Sequence, residues 1–196
     1  MTRRRGSRDA GQAFPIYITV VAGLLFLALA YLAMGQAAAN RNGAQTAADA
    51  AALAAAQNAR DQLAGAWLEN VLDPAVWQDI FDGNVPLNRS CWRAGRLAAQ
   101  NDARVLHCHA PDPLTYRVDV ETNKPVGHSV VPGTEDMKSA ASATAVIEPL
   151  CEPPVEGAED SALPQLACKD QNWDLNPDDP ADLPGPEDLF DVHLAD

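Results

Sequence analysis

Four cysteines, Cys91, Cys108, Cys151 and Cys168, are the residues of this 196-residue chain best suited to covalent chemistry. Cys108 follows Cys91 by seventeen positions, and Cys168 follows Cys151 by the same interval. Four cysteines allow three pairings. Sequential pairing would tie a short helix to the strand beside it and close one loop further along. Each bridge would contribute about 3 kcal/mol by restricting the unfolded chain. An even number, all beyond one apolar segment, suits an oxidising compartment. His107 and His109 flank Cys108, which raises the question of zinc. On a strand, however, successive side chains point to opposite faces, and no Cys-x-x-Cys pair is present. The expected state is a disulfide flanked by surface histidines. Asp170, Asn172, Asp174 and Asp178 fall at positions 1, 3, 5 and 9 of a calcium loop. Leu175 stands where that loop requires glycine, and Ala181 where it requires a bidentate glutamate. They are weak calcium candidates, and the alternative is an acidic spacer that keeps the chain soluble. Asn88-Arg89-Ser90 fits a glycosylation triplet. The four histidines, His107, His109, His128 and His193, fall in no catalytic arrangement. Gly-rich phosphate loops, GxSxG and HExxH do not occur. The sequence therefore predicts neither an enzyme nor a cofactor.

The elements that carry these residues follow from charge and hydropathy. The net charge of −13 is uneven: residues 148–196 hold fourteen acids and only Lys169, whereas residues 1–147 are balanced. No basic patch exists beyond the first eight residues, so a nucleic-acid partner is not expected. Ala13 to Met34 is free of charge. As a helix it would be about 33 Å long, enough for a hydrocarbon core of about 30 Å. Pro15 sits in its first turn, and Tyr17 and Tyr31 lie near its ends. Arg3, Arg4, Arg5 and Arg8 precede it, and only Arg41 follows closely, which places the N-terminus in the cytoplasm and the remainder outside. The alternative is a signal peptide cleaved around Ala37–Ala39, but the apolar run is longer than the usual apolar region of such peptides.

From Gly35 onward the chain is rich in alanine and has no proline before Pro74. Alanine is the strongest helix former. The expectation is one helix from about Phe14 to Val71, leaving the membrane and projecting outward. Ala44, Ala48, Ala51 and Ala55 recur at three- and four-residue spacing, a small-residue surface suited to close approach of a partner helix.

The residues Asp9-Ala-Gly-Gln-Ala-Phe-Pro-Ile-Tyr17 before the span, and Gln45-Thr46-Ala-Ala-Asp49-Ala-Ala-Ala-Leu53 after it, carry a resemblance. Over about residues 9–57 the chain is similar to the TadE/TadG-like proteins of tight-adherence, or Flp-type, pilus systems. The resemblance implies a membrane-anchored component of a pilus or secretion assembly. Its partners would be the lipid bilayer and other assembly proteins, through a helix-mediated oligomer packed at Gln45, Thr46, Asp49 and Leu53. Prepilin-like members are cut after a glycine, with glutamate five residues on and tyrosine sixth. Gly11 and Tyr17 match, but Ile16 replaces the glutamate, so the resemblance implies an anchor that is kept uncut.

Beyond the stem, Asp73-Pro74 reads as the start of a helix running to about Asp82, with Gly83 ending it. Ser90 would cap a further helix, roughly Cys91 to Asn101. Strands are expected at Arg104–His109, Tyr116–Thr122, Val126–Val131 and Ser142–Ile147, with a turn at Pro132-Gly133. The tail is too rich in Pro, Asp and Glu to bury much apolar surface, and mostly disorder is expected there, apart from whatever a second disulfide would hold. The predicted class is α+β, with a small helix-plus-antiparallel-sheet head at the end of the stem. The predicted division is 1–12 basic cytoplasmic end, 13–34 span, 35–72 stem, 73–150 head and 151–196 acidic tail. A second functional reading is a stand-alone cell-surface binding or receptor module with a cation-binding tail.

Overall fold

The computed structural model describes residues 13–125, 136–153, 163, 165–176, 179 and 182–195. The expected strand at 126–131 and the turn at 132–133 lie outside the described residues, as do Gly11 and Asp178.

Helix α1 runs without a break from Ala13 to Glu69. It is the only helix among the described residues long and apolar enough to cross a membrane. After it, Asp73 accepts a hydrogen bond from the Ala75 N–H and opens a 3-10 turn, Pro74–Val76. Helix α2, Trp77–Phe81, continues the same path. The sequence reads this stretch as one α-helix, whereas the first turn closes tighter, with the Trp77 N–H bonded to the Pro74 carbonyl. Gly83 ends it at φ +73°, where a Cβ would come within 2.7 Å of Pro113 Cβ. Glycine is thus required there both for backbone conformation and for space.

Helix α3 covers Cys91–Gln100. Ser90 precedes it without capping it: its side chain makes no cap bond and its backbone is already helical. The hydroxyl instead lies 3.2 Å from Gln62 Nε2 of the stem. Gln62 also accepts from the Asn88 N–H at 2.7 Å, so one stem side chain fixes the approach to α3.

Strands β1 (Ala103–Asp112), β2 (Thr115–Thr122) and β3 (Ala140–Pro149) form an antiparallel sheet. The chain then makes three short strands, β4 (Cys151–Glu152), β5 (Leu166–Cys168) and β6 (Asn172–Trp173), which form a separate small sheet. Helix α4, Pro186–Leu189, leads directly into β7, Phe190–Leu194. Strand β7 pairs with β3 and gives the main sheet its order, β1-β2-β3-β7. The small sheet surrounds the second pair of cysteines, but the expectation of a mostly disordered tail is corrected by the described residues beyond it, which form a helical turn and the fourth strand. The composition is polar, but Phe190, Val192 and Leu194 alternate and lay three apolar side chains on one face.

The head lies along the stem rather than at its end, which is a second departure from expectation. The alanines of α1 from Ala44 to Ala59 pack on the sheet and on α3, with Ala44, Ala48, Ala51, Ala55 and Ala59 fully buried. The facing strand also carries small residues, Ala141, Ala143 and Ala145, on the side shared with Tyr116, Val118 and Val120. Small side chains on both surfaces bring helix and sheet close together, so the surface that could receive a partner helix is occupied by the chain's own sheet. Larger residues fill the far end. The Trp67 and Trp77 rings lie 5.4 Å apart, and Trp77 Nε1 donates to the Asn70 carbonyl. Phe81 meets Phe190 with ring centroids 5.5 Å apart, joining α2 to β7. Each such aromatic pair contributes about 0.5–1.5 kcal/mol beyond the area it buries.

Candidate functional site

The disulfides are Cys91–Cys108 and Cys151–Cys168. The first ties the start of α3 to the middle of β1. The second joins residues directly opposite each other on β4 and β5. With Cys108 in a bridge, its sulfur offers no thiolate to a metal. His107 and His109 are exposed on either side of it.

The described members of the calcium-type run are Asp170, Asn172 and Asp174. Asn172 lies in β6, and Asp174 Oδ1 accepts from Gln165 Nε2 at 2.6 Å. The donors that do come together among the described residues are Glu148, Asp191 and His193, with ligand atoms within 4.8 Å of one another. Glu148 and Asp191 are directly paired across β3 and β7, and His193 Nδ1 lies 3.1 Å from Asp191 Oδ2. All three are exposed. The alternation of residues 190–194 was the sequence signal for this grouping.

On the stem, Gln45 and Thr46 face solvent, and Asp49 and Leu53 are half-buried. Gln45 Nε2 donates to Asp49 Oδ1 at 2.7 Å, one helical turn apart. These side chains line the surface beside the buried alanine face. Gln45 and Asp49 also border an open cleft of about 440 Å³ against Arg117, Ser142, Thr144 and Leu194. The cleft exists because β7 is shorter than β3. Pairing stops at Ala145 with Leu194, and the Ala195 N–H adds one bond to the Thr144 carbonyl. The even-numbered residues of β3 turn their backbone groups toward β7. The backbone of Ser142 therefore faces the cleft, with no strand beside it among the described residues.

One positioning residue is not evident from the sequence pattern. Asn40, a polar residue within the alanine run, fixes the near end of the head to the stem. Its Nδ2 donates to the Lys124 carbonyl at 3.2 Å, and its Oδ1 lies 3.3 Å from Thr122 Oγ1. The Thr122 hydroxyl in turn accepts from the Ser139 N–H. The end of β2 and the start of β3 are thereby held against the helix six residues beyond Met34.

Residues 11–58 match the family model Tad, described as Flp pilus-assembly TadE/G-like. The matched segment ends at Asn58, within α1, and so covers the apolar span and most of the alanine stem but not the sheet. No curated protein and no solved structure matches the chain.

Proposed function

We propose that this chain is a membrane-anchored component of a Flp-type pilus assembly and acts structurally. The observation that carries the reading is the coincidence of the family match, residues 11–58, with the single continuous helix that forms the span and stem. The apolar stretch of α1 anchors the chain, with the arginine-rich N-terminus in the cytoplasm and the disulfide-bridged head outside, in keeping with the positive-inside rule and with cysteines paired as in an oxidising compartment. The head buries the alanine face of the stem. Partner contact therefore falls on the side left open, where Gln45, Thr46, Asp49 and Leu53 lie. Small polar residues on such a strip favour close, hydrogen-bonded packing of neighbouring helices over a greasy contact. No catalytic step is assigned to any residue.

The test is a double substitution, Thr46→Leu with Asp49→Leu, in the full-length chain expressed with the other pilus-assembly proteins of its cell. Both positions lie outside the fully buried face, so the head should keep its thermal unfolding midpoint. Co-purification of assembly proteins should fall at least tenfold. Unchanged recovery of the partners by the folded double variant would remove the stem strip from the proposed interface.

A further inference from the structure

We propose that neighbouring copies of this chain pair laterally through their heads, the arginine face of α3 on one copy against the acidic β7 edge of the next. The inference rests on the reading of the apolar stretch of α1 as an anchor and adds a contact between anchored copies. The sequence shows no basic run after its first eight residues, but the start of α3 gathers arginines that the sequence spaces apart. Residues 83–101 hold three arginines, Arg89, Arg93 and Arg96, and no acid. Among the described residues no carboxylate lies within ion-pair distance of any of the three. Trp92 stands among them with 57% of its surface exposed, and the Arg93 guanidinium lies 5.3 Å from the centre of its ring. An exposed tryptophan flanked by unpaired arginines, on a chain of net charge −13, is a surface for an acidic partner. The Cys91–Cys108 bridge holds this face on β1.

The chain itself carries the acidic counterpart. Strands β1 and β7 are the two outer strands of the main sheet, and α3 packs beside β1, so α3 and β7 lie at opposite edges of the head. At the β7 edge Glu148, Asp191 and Glu187 are exposed. Glu148 and Asp191 face each other directly across β3 and β7, a like-charge pair that is unfavourable alone and is relieved by an opposed cation. Among the described residues no lysine or arginine lies within ion-pair distance of either. One copy cannot join its own two edges, but two copies can. The two faces also lie at similar levels. Ser90, at the start of α3, meets the stem at Gln62. Strand β7 leads from Leu194, beside Gln45 and Asp49, to Phe190, which packs on Phe81 of α2. Asp191 and Trp92 therefore both lie toward the end of the head away from the apolar stretch, and copies with parallel stems meet basic edge to acidic edge. Charges are screened over about 8 Å at physiological salt, so contacts between the edges count for more than the net repulsion of the copies. The two edges differ, so the contact is heterologous and repeats from copy to copy, as a row or a closed ring.

The experiment uses the full-length, disulfide-intact chain in phosphatidylcholine vesicles. No cysteine is free, so Gln57→Cys, exposed on the stem, supplies the sole thiol for a donor or an acceptor dye. Vesicles holding both labelled forms should show energy transfer above that of randomly placed copies at the same density. Salt at about 1 M, which shortens the screening length to about 3 Å, should remove the excess. Arg93→Glu with Arg96→Glu makes both edges acidic, and Glu148→Lys with Asp191→Lys makes both basic. Either variant alone should lose association at least about tenfold, because like charges then face each other, while keeping its thermal unfolding midpoint. Mixed in equal amounts, the two variants should associate again, and so should the chain that carries all of these changes. Random-level transfer by the unaltered chain in vesicles with which it floats overturns the pairing and leaves the anchor intact. A chain that does not float with the vesicles overturns both. A folded variant that still associates alone, or a mixture that does not associate, overturns the edge-to-edge contact.

Discussion

Ala55→Leu tests the central packing claim, that the alanine face of α1 is closed by the chain's own sheet. Ala55 has no exposed surface and lies at the middle of the buried face, with Ala51 one turn before it and Ala59 one turn after. Leucine adds three carbons. Given room, they would contribute about 2 kcal/mol of apolar burial. The facing strand is itself built of alanines, so the added carbons must push the sheet away, and overpacking of this kind costs about 1–3 kcal/mol. We expect a net loss of about 2 kcal/mol. For a head of roughly 100 residues this lowers the unfolding midpoint by about 8–16 °C. Gln57→Leu is the control, because Gln57 is exposed on the same helix and the two changes differ little in helix propensity. The assay is thermal unfolding of the full chain in detergent, followed by near-ultraviolet circular dichroism of the tryptophans. If Ala55→Leu melts with the wild type and instead weakens association with partners, the alanine face is turned outward and the described packing is wrong.

Two further outcomes follow from the same packing. Phe190→Ala should destabilise the head by about 3–5 kcal/mol, since the ring is fully buried against Phe81; urea unfolding that leaves the midpoint unchanged would show that β7 is no part of the core. Replacing both cysteines of either bridge with alanine should cost about 3 kcal/mol in each case. The two bridges close equal intervals of seventeen residues, and a large inequality in denaturant midpoint would mean that native contacts, rather than chain entropy, set their value.

Much of this fold can be read from residues whose signals are local. The long helix follows from alanine content and the absence of proline up to Pro74, and β2 from the clean alternation of Tyr116, Val118 and Val120. What the alanines touch is not local information. Ala51 and Ala55 would fit a neighbouring helix as well as a sheet, and only the small residues of β3, some ninety positions later, decide between them. Strand β7 carries a real alternation in five residues, but its proline- and acid-rich surroundings favour a disordered reading. Its pairing with β3 is again long-range. Ser90 has the right identity and place for a cap, yet Gln62 draws its hydroxyl away. Of the candidate site, Gln45 and Asp49 are legible as a polar pair one turn apart. The cleft beside them is not, because it arises from the unequal lengths of β3 and β7.

The unbroken course of α1 from span to head has a mechanical meaning. No loop or hinge separates the apolar segment proposed as the anchor from the one that forms the spine of the head. The head cannot swivel on its anchor, and any change of tilt in the span becomes a change in where the head points. The helix extends 35 residues beyond Met34, about 52 Å, so a tilt change of about 10° would carry its far end sideways by about 9 Å. With the apolar stretch as the proposed anchor, α1 would be a lever whose angle follows the thickness of the bilayer around its shorter arm.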